Sequence, residues 1–239
     1  MFFAFERNIL VVLFIFLVHL VCVGQEAPLV DGRDNNTYKT VKIGKQIWMA
    51  ENLRYLPSVN QPENISYENM FNPMYYVYGY LGTDATEAKE TEEYKIYGVL
   101  YNQAAAKKAC PIGWRLPRDS DWNSLEKAFG MDGSAIRDIG NRGKNEGVSM
   151  AGDTALWSVK GKVDFKKHMS DKSDFMVLPA GYVGIDRKYH DIGGKASFWS
   201  SSEYCDGFSY YRSIGVNSFG VYRNNSDNTS GMSVRCVKN

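Results

Sequence analysis

The stretch Tyr97–Trp122, YGVLYNQAAAKKACPIGWRLPRDSDW, constrains the fold more than any other part of the chain when taken with the closing residues Ser233–Val237. Asn102–Ala109 is rich in Ala and Lys and reads as a helix. Cys110-Pro111 ends it, because proline has no N–H donor and restricts the residue before it. A Pro/Gly/Trp turn follows, and a second helix begins between Arg118 and Ser120. Trp122, Leu125 and Phe129 recur on it at helical spacing, Gly130 supplies the stop, and Asp119 and Asp121 put negative charge at its N-terminus. The chain closes on a strand that carries Cys236. A bond from Cys110 to Cys236 would tie the start of the core to its end.

The N-terminus reads as an export signal. From Ile9 an apolar run of about 15 residues lies between Arg7 and Gln25-Glu26, short for a membrane span of about 20 and right for a signal peptide. Small residues near its end place cleavage after Gly24, so residues 1–24 are the signal and 25–239 the mature chain. His19-Leu20-Val21 before Cys22 make a poor lipobox, so a lipoprotein is the weaker reading, and an uncleaved anchor is the third. With the signal removed, no transmembrane segment is expected.

Export leaves Cys110, Cys205 and Cys236 in an oxidising compartment, where pairing is the expectation. Three cysteines allow three single pairings, and spacing alone does not choose. A leftover Cys205 reads as a free thiol, since no His lies near it in sequence to lower its pKa.

Tyr38–Trp48 reads as two short strands joined at Gly44-Lys45, with Gly44 opening a type II′ turn. From about 57 to 93 the text is polar and rich in turn residues, which predicts an inserted loop rather than core, with a local strand at Met74–Tyr78. Past Gly130 come short strand-like runs at Phe175–Leu178, Ser197–Ser201, Phe208–Val216, Phe219–Arg223 and Met232–Val237. A hairpin, two helices and an irregular set of strands make an α+β plan. A net charge of +1 argues against nucleic-acid partners, which need clustered Lys and Arg.

Six ordered blocks carry a family resemblance. They are IGKQIWMAENL (Ile43–Leu53), YGVLYNQAAA (Tyr97–Ala106), ACPIGWRLPRDSDW (Ala109–Trp122), DFMVLPAGY (Asp174–Tyr182), FWSSSEY (Phe198–Tyr204) and SVRCVK (Ser233–Lys238). The mature chain resembles the Fibrobacter succinogenes major paralogous domain, a family of envelope and secreted proteins. That resemblance implies a C-type-lectin-like fold: two helices, irregular antiparallel sheets, and a disulfide from a helix to the final strand. It selects Cys110–Cys236, closing a loop of about 126 residues for which chain entropy gives about 4–5 kcal/mol. Where the family has a small capping residue after Leu-Pro, this chain has Arg118, so Asp119 or Ser120 is expected to cap.

No HExxH, CxxC or GxSxG pattern is present, and the histidines are scattered, so no enzyme is expected. Trp48, Trp114 and Trp199 sit in family blocks and read as core, whereas Trp157, between blocks, reads as an exposed ring. Tyr210, Tyr211, Tyr222 and Arg223 are the expected recognition face, because aromatics and Arg are enriched at binding hot spots. Asn224, Asn225 and Asp227 offer oxygen ligands for Ca²⁺, against the simpler reading as a turn. Together these imply a secreted or cell-envelope binding or adhesion module for carbohydrate or a surface protein. The alternative is a structural envelope protein without a small ligand.

Overall fold

The computed structural model describes residues 24–158, 160–169 and 174–239. The export-signal expectation, but for Gly24, lies outside the described residues. The first strands are β1 (Gly24–Gln25), β2 (Leu29–Val30), β3 (Thr37–Tyr38) and the pair β4 (Thr40–Ile43) and β5 (Gln46–Met49). Two 3₁₀ turns, Pro62–Asn64 and Tyr67–Asn69, and β6 (Tyr75–Tyr76) lead to α1 (Ala85–Glu90) and α2 (Glu92–Tyr97). Then come β7 (Leu100–Tyr101), α3 (Gln103–Ala109), β8 (Trp114–Arg115) and α4 (Asp119–Ala128). After β9 (Gly140–Arg142), α5 (Glu146–Met150) and α6 (Phe165–His168), the chain runs through β10 (Ala180–Val183) and β11 (Tyr189–Ile192). Three long strands follow, β12 (Lys195–Cys205), β13 (Phe208–Gly215) and β14 (Ser218–Asp227), and β15 (Val237–Lys238) closes the chain. Among the described residues no helix is long and apolar enough to cross a membrane.

The β4–β5 hairpin forms where alternation predicts it. Gly44 takes φ +59°, and Lys45 is not among the positive-φ residues, the pattern of a type II′ turn. One sheet runs β1-β4-β5-β15-β8, so the last strand lies between the N-terminal hairpin and the turn after α3. There Val237 faces both Trp48 and Arg115. The disulfide joins Cys110, just past α3, to Cys236 beside this strand, with Cα atoms 5.8 Å apart. Cys205 is free and exposed. The second sheet runs β11-β10-β12-β13-β14-β9, antiparallel except between β10 and β12.

Trp122 on α4 packs between the sheets, 5.0 Å from Trp48 and 5.6 Å from Phe198 ring to ring. Asn102 caps α3 by accepting the Ala105 N–H, and Gly130 takes φ +102° after α4. The start of α4 departs from expectation. Neither Asp119 nor Ser120 caps it; the Asp121 carboxylate accepts the Arg118 N–H at 2.6 Å. Asp119 is occupied elsewhere, its carboxylate by two arginines.

Residues 57–93 are not a loose insertion. Val59, Ile65, Met70, Met74, Tyr76, Val77 and Ala88 are buried, and several belong to the same apolar cluster as Trp199 and Cys236. Polar residues dominate the segment because they form its turns and helix caps, Asp84 and Thr91 among them, while sparse apolar residues anchor it. The expected strand at Phe175–Leu178 is reduced to one bridge, Ala151–Val177, because Met176 takes φ +49° and breaks the extended run. Met232 and Ser233 likewise make single bridges, to Tyr101 and Phe198, rather than a ladder.

Candidate functional site

Strands β13 and β14 decide where the expected recognition residues go. Successive side chains on a strand point to opposite faces. Tyr210 and Arg212 therefore share one face of β13, and Tyr211 and Ser213 the other. Pairing of Arg212 with Arg223 and of Ser213 with Tyr222 carries the same division onto β14.

The first face looks inward at α4. Arg212, 1% exposed, donates from Nε to Glu126 Oε1 at 2.7 Å and from Nη1 to Asp119 at 2.7 Å. Arg142, from β9, lies 2.7 Å from Glu126 Oε2. Arg223 binds both Asp119 oxygens, at 3.0 and 2.9 Å, and stacks over the Tyr210 ring at 4.3 Å. Burial alone would raise the Asp119 pKa, but bonds from Arg223 and the Arg212 charge outweigh it and hold the carboxylate below its ordinary value. Burial also lowers the pKa of Arg142. Arg223 and Tyr210 are thus corrected as site residues: Arg223 is locked in an ion pair, and its guanidinium covers Tyr210.

The second face looks outward and carries a cleft of about 470 Å³. Tyr211 and Tyr222 stand on it with ring centroids 6.1 Å apart. Asn224 donates its amide to the Tyr222 hydroxyl at 2.8 Å, and Asn141 of β9 lies opposite Tyr222. Ser213, Lys160, Asn217, Lys195 and Asp191 also line the cleft, the last two paired at 3.0 Å. Asp191 takes φ +60°, a conformation that costs a non-glycine residue on the order of 1 kcal/mol. Burial raises the Tyr211 pKa, so its hydroxyl stays protonated and can both donate and accept. Aromatic rings beside amides, hydroxyls and one ion pair suit a polar ligand with an apolar face.

Two further expectations fail. Trp157 is 2% exposed, with its indole N–H given to the Gly152 carbonyl at 3.0 Å and its ring 4.8 Å from Phe165. A buried Trp needs a partner for its N–H, and this one has it. Asn224, Asn225 and Asp227 lie within β14 instead of a separate loop, so Asn224 projects to the opposite face from the other two. Asp227 Oδ1 already accepts from the Thr229 N–H and hydroxyl, which is the turn reading.

Sequence reasoning missed Glu126, Arg142, Arg212 and Arg235. A signal existed for Glu126, which falls four residues after Trp122 on the apolar stripe of α4 and so had to meet a buried cation. Arg235 is fully buried, and among the described residues no carboxylate pairs with it. It donates to Asn52, Phe175 and Met176 oxygens and stacks on the Phe175 and Phe198 rings. Burial pulls its pKa down to about 9, leaving it a cation at neutral pH.

The fold and cleft define a class: a disulfide-closed α+β domain with an aromatic, polar groove on one sheet face. The family model for the Fibrobacter succinogenes major domain matches residues 41–238, and the chain belongs to that family. No curated protein and no solved structure matches the chain significantly.

Proposed function

We propose that the chain is an exported binding or adhesion module, secreted or held in the cell envelope, whose outward cleft takes a polysaccharide or the glycan of a surface partner. The observation that carries this reading is the Tyr211–Tyr222 pair over a cleft of hydroxyls and amides. Tyrosines give broad amphipathic contact at low entropy cost. The disulfide supports export, since such bonds persist in oxidising compartments. We read the architecture as C-type-lectin-like. A helix-to-last-strand disulfide and the meeting of the first and last described strands in one sheet support that.

A binder fits better than an enzyme. Asp119, Asp121 and Asp186 have pKa values held down by arginine or histidine partners, the direction of ion pairing and the opposite of a general acid. The test is binding of the oxidised protein to a panel of plant and bacterial polysaccharides, with calcium and with chelator. Saturable binding that falls on Tyr222→Ala supports the cleft. Absence of binding across the panel moves the assignment to a structural envelope role.

A further inference from the structure

We infer that the tyrosine cleft selects an acidic glycan, one whose rings carry carboxylate or sulfate groups, and that Lys160 is the residue that reads the negative charge. The inference rests on the proposed function and names the class of polysaccharide that the same cleft takes.

The charge of the cleft carries it. Among the described residues that line the cleft, three are charged: Lys160, Lys195 and Asp191. Asp191 pairs with Lys195 at 3.0 Å, so those two cancel. The Lys195 ammonium is further engaged over the Tyr182 ring, 5.2 Å from its centre. Lys160 is exposed, and among the described residues no carboxylate pairs with it. The cleft therefore keeps one positive charge in a wall of hydroxyls and amides. The chain as a whole carries a net charge of only +1, so a preference for anions would come from the cleft and not from a general field.

The backbone on either side of Lys160 is tied to the cleft. The Ser158 N–H donates to the Gly193 carbonyl at 2.6 Å, the Lys160 N–H to Ser158 Oγ at 3.0 Å, and the Lys162 N–H to Asn217 Oδ1 at 3.0 Å. Gly161 lies so close to the β13–β14 turn that an added Cβ would run into the Val216 carbonyl oxygen. The flexible lysine stem thus springs from a fixed point at the cleft edge. One exposed lysine is too weak to hold a small anion by itself, so the tyrosine rings supply the contact and the lysine the choice. A neutral sugar gains nothing from the ammonium, a cationic one is repelled by it, and an acidic one gains a charge-assisted hydrogen bond.

The experiment measures binding of the oxidised protein to polygalacturonate beside its methyl ester, and to a sulfated galactan beside its desulfated form. Polyglutamate serves as an anionic chain without sugar rings. At least one acidic glycan should bind about fivefold tighter than its neutral counterpart. The preference should shrink as salt rises from about 0.1 to about 1 M, which shortens the screening length from about 10 to about 3 Å. Lys160→Glu should remove it at an unchanged melting temperature. The acidic chain that leads tells carboxylate from sulfate. Equal binding of acidic and neutral chains, or a preference that survives Lys160→Glu, overturns the inference and leaves the proposed function standing. Polyglutamate bound as tightly as the acidic glycan overturns it too, because charge alone would then suffice. Absence of binding to every polysaccharide overturns both.

Discussion

Two faces of the β13–β14 ribbon share one backbone and carry opposite chemistry. Inward, three guanidiniums, Arg142, Arg212 and Arg223, meet two carboxylates, Asp119 and Glu126, with the Ile136 and Arg137 carbonyls taking further donors. Outward, Tyr211 and Tyr222 stand over an open cleft. Tyr222 and Arg223 are adjacent in sequence, yet one is available to a ligand and the other is bound to α4. Residue type proposes a recognition face; strand register decides which of its residues reach the cleft. The inward network does not make the fold stable by itself, since desolvation of buried charges offsets most of their attraction. It fixes the position of α4 on the sheet, and α4 in turn keeps the ribbon's other face turned to solvent.

That contrast breaks most sharply at Glu126. Glu126→Gln leaves Arg212 and Arg142 buried without their shared carboxylate, and breaking such a pair costs about 3–5 kcal/mol. Urea unfolding should show a loss of that size with the m-value kept. A loss under 1 kcal/mol would mean that water reaches the network and that the inward face is not sealed.

Asp119→Asn comes next, at about 1–3 kcal/mol, because hydrogen bonds to charged groups are lost while the side chain keeps its shape. Its signature is in the pH dependence. The folded pKa of Asp119 lies below its ordinary value of 3.8, so its contribution is complete above that value and is lost as pH falls through the folded one. The variant should therefore lose less stability than the parent on acidification below about pH 4. Equal slopes in the two proteins would remove Asp119 from the acid limb.

Much of the frame was legible in the sequence. The Gly44 hairpin, the Cys110-Pro111 helix stop and the apolar stripe of α4 are local features, and local physics specifies them. The Cys110–Cys236 pairing was legible only through family resemblance, because spacing left three choices open. What stayed hidden was non-local. Residues 57–93 look like a loop because their buried apolar residues are spread among caps and turns. Trp157 looks exposed until the Gly152 carbonyl that satisfies its N–H is found. Arg223 in a tyrosine-rich strand looks like a binding residue until Asp119 appears across the interface.

The smallest expected effect on stability falls on the outward face and isolates it from the inward one. Tyr222→Ala should cost about 1 kcal/mol or less, since the ring is half-buried and, among the described residues, its hydroxyl is bonded only to the Asn224 side chain. Arg223→Ala, one residue on, should cost more, because it leaves Asp119 with a single buried partner. Ligand binding should rank them the other way. Tyr222→Ala removes one of the two rings that form the cleft, and about a tenfold loss of affinity, ~1.4 kcal/mol, is expected. Arg223→Ala should bind as the parent does at temperatures where it stays folded. Calorimetric melting and polysaccharide binding measured on the same two variants decide the matter. If Arg223→Ala loses binding while its melting curve stays close to the parent's, the inward face reaches the ligand after all, and the division of labour between the two faces fails.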